Sequence, residues 1–315
     1  MIAKFAASLF SRSLISPSNT SIGKVAMSTA SKQYKTLKLT VPKPFVYHVE
    51  LNRPDKLNAF NRDLWTEIED CFTSLNSDED CRVVVVSAAG KLFTAGLDFT
   101  SMIELGQRLA NQEDVARRCK ILNELIVEFQ DSMSSLEKCV KPVMCLIHNA
   151  CIGAGLNLIT AADIRYCTDD AYFSVKEVDI GLAADIGVLQ RLPRVVGSAS
   201  LVNELAFTAR KLDAMEAKEC GLVNRLYTNK ENMVKEALDV AEEIASKSPV
   251  AVQGTKRSLV YSRDHSVQEG LNHIVSSSSL VDHYLVYVQF VVDVICPWFY
   301  CRAHHFFQFL ISERF

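Results

Sequence analysis

Two short apolar runs constrain the fold of this chain most strongly. Residues 82–88, "RVVVVSA", and residues 141–150, "KPVMCLIHNA", contain few polar residues and several β-branched ones. A strand with one face in water alternates apolar and polar residues, whereas an uninterrupted run is typical of a strand buried on both faces. Strand and helix patterns alternate along the chain. We therefore expect an α/β fold whose layers are joined by crossover connections.

The segment before the first run has the pattern of two strands followed by a helix. Residues 35–41 and 45–52 favour strands. Asn61 is suited to cap a helix over residues 62–76, because Asn is a preferred N-cap residue. One face of that helix is apolar and consists of Leu64, Ile68, Cys71, Phe72 and Leu75.

Longer helical patterns follow. Residues 112–137 predict an amphipathic helix, and helices dominate after residue 187. Thr228 and Glu231 fit a capping box in front of one of them. Residues 280–300 are apolar enough to suggest a membrane helix, but buried charges oppose a clean span. The residues that argue against it are Asp282, His283, Asp293 and Pro297.

The first 49 residues have an unusual charge pattern. They contain seven Lys and Arg and no acid, and the first carboxylate is Glu50. The first 32 residues are also rich in Ser, which together is the composition of a mitochondrial transit peptide. Ser11, Arg12 and Ser13 interrupt the apolar core that a secretory signal needs. The alternative is a disordered N-terminal tail.

Composition excludes several classes of protein. A net charge of -3 gives no indication of a nucleic-acid partner, and 49% hydrophobic with 23% charged residues is typical of a soluble globular protein. The ten cysteines include no CxxC pair, which suits neither a zinc site nor a small disulfide framework. Cys145 and Cys167 lie in apolar runs, so we expect reduced, buried thiols and no metal.

Two loops have small residues where a backbone must come close to another group. They are "TAGLDF" at residues 94–99 and "CIGAGLN" at residues 151–157. In the second, the chain leaves a strand, turns at residues 153–155 and enters a helix, whose first N–H groups have no intrahelical acceptor. Two N–H groups, one from each loop, can hold an oxyanion. Each loop alone also fits an ordinary turn.

The segment "VKEVDIGLAAD", residues 175–185, places Glu177, Asp179 and Asp185 among apolar and small residues. Glu177 and Asp185 are either proton-transfer groups at a buried ligand or ordinary surface charges, and the residues alone leave both open. We interpret Asp179 as a turn or surface charge. Arg53 and Lys56 contact phosphates of a ligand or are solvated loop charges.

Taken in order, these motifs resemble the crotonase (enoyl-CoA hydratase/isomerase) superfamily from about residue 35 to about residue 275. The segments "KEVDIGLAAD" and "SKSPVAVQGTKRSLVYSRDHSVQEGLN" resemble its dienoyl-CoA isomerase branch most closely. The resemblance implies a spiral of ββα turns and a helical C-terminal region that trimerises. It also implies acyl-CoA substrates, no cofactor besides the CoA of the substrate, and a homo-oligomer (trimer or hexamer).

The composition of the first residues and the resemblance together predict four parts of the chain. Residues 1–33 form a transit peptide or disordered leader, and residues 34–228 form the crotonase-like spiral core. Residues 229–280 form the C-terminal helical region, and residues 281–315 form an atypical apolar tail, which does not resemble the closing helices of the family.

The resemblance also assigns site residues. The thioester oxygen would bind the backbone N–H groups of Leu97 and Ala154, where the family usually has Gly at the position of Ala154. Glu177 and Asp185 match catalytic acids. Asn157 lies where isomerases usually have an aspartate and hydratases a glutamate, and an amide cannot act as a general base. The implied substrate-binding residues are Ala95, Gly96, Leu97, Asp98, Phe99, Ala154 and Asn157.

The expected reaction converts 3,5-dienoyl-CoA to 2,4-dienoyl-CoA through an oxyanion-stabilised dienolate, as in fatty acid β-oxidation. Asp185 would be the base and Glu177, kept protonated by apolar neighbours, the acid. The alternatives are an enoyl-CoA hydratase and a catalytically impaired crotonase-like protein. The sequence closes on Glu-Arg-Phe instead of a peroxisomal Ser-Lys-Leu signal, so we expect the mitochondrial matrix.

Overall fold

The computed structural model describes residues 32–276. The predicted leader up to residue 31, the predicted apolar tail and the membrane-helix candidate at residues 280–300 lie outside this range. Within it, no helix combines the length and the apolar character needed to cross a membrane.

The larger of two sheets has six strands in the order β1-β2-β3-β4-β6-β9. Strands β1 and β2 are antiparallel, and every other neighbouring pair in this sheet is parallel. Every residue of β3 and β4 is buried, which confirms the prediction of strands covered on both faces. The strands are β1 (Leu37–Lys43), β2 (Val46–Leu51), β3 (Val83–Ala88), β4 (Val143–Ile147), β6 (Ile164–Thr168) and β9 (Arg225–Tyr227).

The smaller sheet has the order β5-β7-β8 and consists of β5 (Ala150–Ile152), β7 (Tyr172–Ser174) and β8 (Leu212–Asp213). Strand β5 begins only three residues after β4 ends, so the chain passes directly from one sheet to the other. Asn149, in that connection, has a φ of 51°, a left-handed conformation that Asn tolerates better than most residues.

Helices cover both faces of the larger sheet. Because side chains alternate along a strand, Val84 and Val86 point into the main core, with Leu64 and Phe72 of helix α1 (Arg62–Ser77). Val83 and Val85 point into a second core. The helix side of that second core is formed by Met233, Ala237, Ala241 and Ala245 of helix α8 (Lys230–Ala245).

Ten α-helices lie within the described range. In chain order they are α1 (Arg62–Ser77), α2 (Phe99–Ala110), α3 (Val115–Lys138), α4 (Ala154–Thr160), α5 (Val188–Val195), α6 (Ala199–Thr208), α7 (Ala214–Glu219), α8 (Lys230–Ala245), α9 (Pro249–Tyr261) and α10 (Val267–Ser276). After β9, the described chain is therefore helical.

The N-termini of two helices test the capping residues that the sequence predicts. Asn61 caps α1 as predicted, since its side chain accepts a hydrogen bond from the Leu64 N–H. The capping box at Thr228 and Glu231 is wrong: Asn229 caps α8 and accepts from the Asn232 N–H at 2.8 Å. Asn and Thr both cap helices well, and here the Asn lies one residue closer to the first turn.

Helix α2 was not predicted, and the long helix begins three residues later than expected, at Val115 instead of residue 112. None of its residues is buried, so it has no apolar face that packs into the core. It depends on Asp98, whose carboxylate accepts from the N–H groups of Thr100 and Ser101. The next helix, α3, begins at Val115 after its own cap, Asp114.

The cysteines of the core are thiols, as predicted. Cys145 and Cys167 are free and buried. Burial raises the pKa of both thiols to about 12, so both stay protonated at neutral pH.

Candidate active site

The two small-residue loops run side by side because a parallel bridge joins Thr94 to Cys151. The Thr94 N–H donates to the Ala150 carbonyl at 3.0 Å, and the Ile152 N–H donates to the Thr94 carbonyl at 3.2 Å. Leu97 and Ala154 are each the third residue after this bridge. The register therefore brings the two predicted oxyanion donors to the same edge.

Gly155 allows helix α4 to approach the first loop closely. A Cβ atom at Gly155 would lie 2.3 Å from the Thr94 Cγ2 and 3.0 Å from the Cys151 Sγ. The Thr94 side chain cannot turn away freely, because its Oγ1 donates to the Asn58 carbonyl at 2.7 Å and accepts from the Gly96 N–H at 3.1 Å. Only glycine fits without displacing one of the two segments.

The Leu97 N–H takes no part in the backbone hydrogen bonds that join the first loop to Phe60. Phe60 donates its N–H to the Gly96 carbonyl at 2.7 Å and accepts from the Asp98 N–H at 3.1 Å. Leu97, between these two partners, directs its own N–H to the opposite side, as a strand backbone requires. Gly96 has a φ of 91° and lies close to the Ile152 carbonyl.

Ala154 is the first residue of α4, and its side chain is buried. The N–H of a first helical residue has no acceptor within its helix. The methyl group is accommodated in the core, so the departure from the usual glycine leaves the backbone donor in place.

Glu177 begins a 3₁₀ helix, Glu177–Ile180, shortly after β7. Its side chain is 7% exposed, and its Oε1 accepts from the Asn157 Nδ2 at 3.1 Å. Its Oε2 is buried and has no hydrogen-bond partner among the described residues. Glu177 lines a cavity of about 50 Å³ together with Ala95, Gly96, Leu97, Phe99, Ile152, Gly153, Ala154, Lys176 and Ile180.

The surroundings of Glu177 favour its neutral form more than water does. Burial raises the pKa of this carboxyl above the ordinary 4.5, and the nearby charge of Asp185 acts in the same direction. The backbone of Glu177, the Asn157 amide and the backbone of Lys176 favour the carboxylate and oppose the rise. The net pKa is raised, so a larger fraction of Glu177 is protonated near neutral pH than of an exposed glutamate.

Asp185 lies outside the lining of this cavity. Its side chain is exposed, between the buried residues Ala184 and Ile186. Its backbone carbonyl accepts from the Gln130 Nε2 at 2.6 Å. The structure thus places Leu97, Ala154 and Glu177 around one cavity and holds the segment of Asp185 beside it.

Asp98 and Arg53, two further candidates for ligand contacts, are engaged with each other. Their ion pair has an N–O distance of 3.0 Å, and Arg53 also donates to the Ala59 carbonyl. Burial alone would raise the pKa of Asp98, but Arg53 and the N–H groups of Ser101 and Thr100 hold it below its ordinary value. Both residues thereby fix the loop that carries Leu97. Lys56 is exposed and solvated.

Asp179 forms a surface ion pair with Lys176, in agreement with its interpretation as a surface charge. Lys176 and Ile180 also line the cavity, although neither was singled out in the sequence.

Comparison with known proteins identifies the family. The profile of the family described as enoyl-CoA hydratase/isomerase matches residues 43–277. The chain belongs to the enoyl-CoA hydratase/isomerase family. A Homo sapiens member named Delta(3,5)-Delta(2,4)-dienoyl-CoA isomerase, mitochondrial, is 53% identical over 244 residues, which are 77% of this chain and 74% of that protein.

Two further members of the enoyl-CoA hydratase/isomerase family support the assignment. An Arabidopsis thaliana Delta(3,5)-Delta(2,4)-dienoyl-CoA isomerase, peroxisomal, is 41% identical and covers 79% of this chain and 90% of its own length. A crystal structure of enoyl-CoA hydratase from Bacillus anthracis superposes with a TM-score of 0.67 at 27% identity, over 76% of this chain and 87% of that one. The predicted crotonase-like α/β fold is confirmed.

Family members in these comparisons carry both isomerase and hydratase names, so the fold alone does not choose between the reactions.

A larger cavity, of about 940 Å³, shares no lining residue with the cavity at Glu177. Two of its arginines, Arg191 and Arg263, already pair with Glu137 at 3.1 and 2.6 Å. The cavity at Glu177 is therefore the candidate active site.

Proposed function

We propose that this protein is a Δ3,5-Δ2,4-dienoyl-CoA isomerase. The observation that carries the proposal is the buried carboxyl of Glu177, which shares one cavity with the backbone at Leu97 and Ala154. Relatives about half identical in sequence, among them the Homo sapiens protein, bear this name. An apolar rim suits an acyl chain, since Phe99 is 67% and Ile180 43% exposed at the same cavity.

In the proposed reaction, one proton is removed from the substrate and one is added to it. The reaction needs no cofactor besides the CoA that belongs to the substrate. Asp185 removes a proton from the carbon next to the thioester carbonyl. The electron pair moves into the conjugated system, and the negative charge resides largely on the thioester oxygen. Glu177 then donates a proton to the carbon at the far end of the diene. The product is the 2,4-diene, and the two carboxyls return to their starting states by proton exchange with water.

The backbone donors lower the cost of the charged intermediate. The N–H groups of Leu97 and Ala154 would bind the thioester oxygen where its charge develops, and one such donor typically contributes about 3 kcal/mol. Glu177 is suited to act as the acid because burial raises its pKa and so favours its protonated form. Asp185 is exposed and suited to act as a base, a role that rests on the family resemblance.

The first prediction separates isomerisation from hydration. Hydration needs two acid side chains around a water molecule, whereas here the partner of Glu177 is the amide of Asn157. The purified full chain should convert a 3,5-dienoyl-CoA, followed by the absorbance of the 2,4-diene, and should hydrate crotonyl-CoA negligibly. Hydration as fast as isomerisation would favour the hydratase, and inactivity in both assays would favour an impaired family member.

We further propose that the protein works in the mitochondrial matrix. The first 49 residues have the charge pattern of a transit peptide, and the Homo sapiens relative is named as mitochondrial. Residues 1–33 fused to a fluorescent reporter should direct it to mitochondria. The control is the same segment with three of its four basic residues, Lys4, Arg12 and Lys24, replaced by Gln, and it should localise diffusely. Diffuse localisation of the unaltered fusion would contradict the proposal.

The family resemblance also supports a homo-oligomer, a trimer or hexamer, as the working form. In the described chain, large apolar side chains remain exposed on helices outside the site, among them Phe207 and Leu259. Such residues suit contacts between copies of the chain.

A further inference from the structure

We propose that Asn157 is the positioning residue of the site: it joins the segments of Glu177 and Asp185 and makes Oε2 of Glu177 the oxygen that holds the acid proton. The inference rests on the proposed isomerase function. Asn157 is completely buried on α4, and its side chain has hydrogen-bond partners on three different segments.

The orientation of the Asn157 amide follows from its neighbours. Its Oδ1 accepts from the Val188 N–H at 2.6 Å, and its Nδ2 donates to the Gly153 carbonyl at 3.1 Å. An N–H can only donate, and a carbonyl can only accept. A flipped amide would place two donors face to face at Val188 and two acceptors face to face at Gly153. The Nδ2 must therefore face Glu177 as a donor.

This orientation makes the two oxygens of Glu177 unequal. Oε1 accepts the Asn157 N–H at 3.1 Å, and a carbonyl oxygen accepts better than a hydroxyl oxygen, so the proton of the neutral acid is favoured on Oε2. Oε2 is buried and has no partner within residues 32–276. Oε2 is therefore the oxygen that holds the proton of the neutral acid.

The same side chain holds the segment of the second acid. Val188 is the first residue of α5, so its N–H has no acceptor in its own helix and depends on Asn157. It lies three residues after Asp185, whose carbonyl is held by Gln130. One buried amide thus fixes Glu177 directly and the backbone after Asp185 indirectly.

An aspartate at position 157 would preserve only one of these functions. Its carboxylate could still accept from the Val188 N–H, but while ionised it could not donate to Glu177. The charged groups around Glu177 are Asp185 and Lys176, which lines the cavity and pairs with Asp179. A third carboxylate beside Glu177 would add like-charge repulsion and raise its pKa.

The pH profile of kcat/KM tests the proposal with the full-length chain. Because Glu177 acts as the acid, activity falls as the pH rises through its pKa. Asn157→Asp removes the donor and adds a charge, so the alkaline limb should move upward by about one pH unit or more. Asn157→Leu removes donor and acceptor, so the limb should also move upward, and kcat/KM at the optimum should fall by up to about a hundredfold.

The matched control is Thr160→Val on the same helix. Thr160 is also buried, but its hydroxyl bonds only to the backbone carbonyls of Leu156 and Asn157. This variant loses a buried hydrogen bond without touching Glu177, so its alkaline limb should coincide with that of the wild type. The proposal would be overturned if the alkaline limbs of the wild type and Asn157→Asp coincided. It would also be overturned if Thr160→Val shifted the alkaline limb as far as Asn157→Asp does.

A second measurement does not depend on activity. Carbon-13 labelling of the glutamate carboxyls allows Glu177 to be titrated by NMR, with its resonance assigned by its absence in Glu177→Gln. The carboxyl should titrate at higher pH in Asn157→Asp than in the wild type. If the wild type fails to isomerise dienoyl-CoA but this shift occurs, the proposed function fails and the positioning role of Asn157 stands.

Discussion

Glu177→Gln should lower kcat/KM for a 3,5-dienoyl-CoA by about 10²–10⁴-fold, the usual contribution of a positioned general acid. A glutamine amide is not acidic enough to transfer a proton, so Gln cannot act as the general acid. The change is nearly isosteric, and the amide oxygen can still accept from Asn157, so the fold should survive. Steady-state kinetics measure the loss, and the far-UV circular dichroism and the thermal midpoint verify the fold.

Two companion variants make this result specific. Asp185→Asn should cause a comparable loss if Asp185 removes the first proton. Asp179→Asn is the matched control, because Asp179 lies on the same segment but pairs with Lys176 at the surface. It should turn over at a rate close to that of the wild type. Near-normal turnover by Glu177→Gln would remove Glu177 from the mechanism, and the same result for Asp185→Asn would remove Asp185.

Gly155→Ala should lower kcat by about 10²–10³-fold, the cost of losing one donor of an oxyanion hole. The added methyl would lie 2.3 Å from the Thr94 Cγ2, whose rotamer is fixed by two hydrogen bonds of the hydroxyl. Either α4 or the loop of Leu97 must then move, which separates the two backbone donors. Overpacking of this kind also costs about 1–3 kcal/mol of stability.

Thr94→Ser in the Gly155→Ala background should restore much of the lost activity. Serine retains the hydroxyl that bonds to Asn58 and Gly96 but lacks the Cγ2 methyl. The contact at 3.0 Å with the Cys151 Sγ remains, so recovery should be partial. Thr94→Ser alone is the control and should be nearly as active as the wild type. Unchanged kcat in Gly155→Ala, or no recovery in the double variant, would contradict this account of the site.

The elements whose causes are local could be predicted from the sequence. Strands β3 and β4 follow from uninterrupted apolar runs, and the start of α1 follows from Asn61. The order of the motifs was sufficient to recognise the family, which the match over residues 43–277 confirms. Helix α2 was missed although Phe99, Met102 and Ile103 have helical spacing, because it follows the small-residue loop directly and its start is set by the Asp98 cap.

The arrangement of the site was decided by the tertiary structure. Nothing in the sequence around Asn157 indicates that its amide bonds to Glu177 and Val188, and Gly155 needs to be glycine only because the chain brings Thr94 against it. Glu177 and Asp185 lie in one short segment of apolar and small residues, and only the fold buries Glu177 and leaves Asp185 exposed. Capping and periodicity act between neighbours along the chain. Burial and the pairing of polar groups depend on where distant segments meet, and only the folded chain determines that.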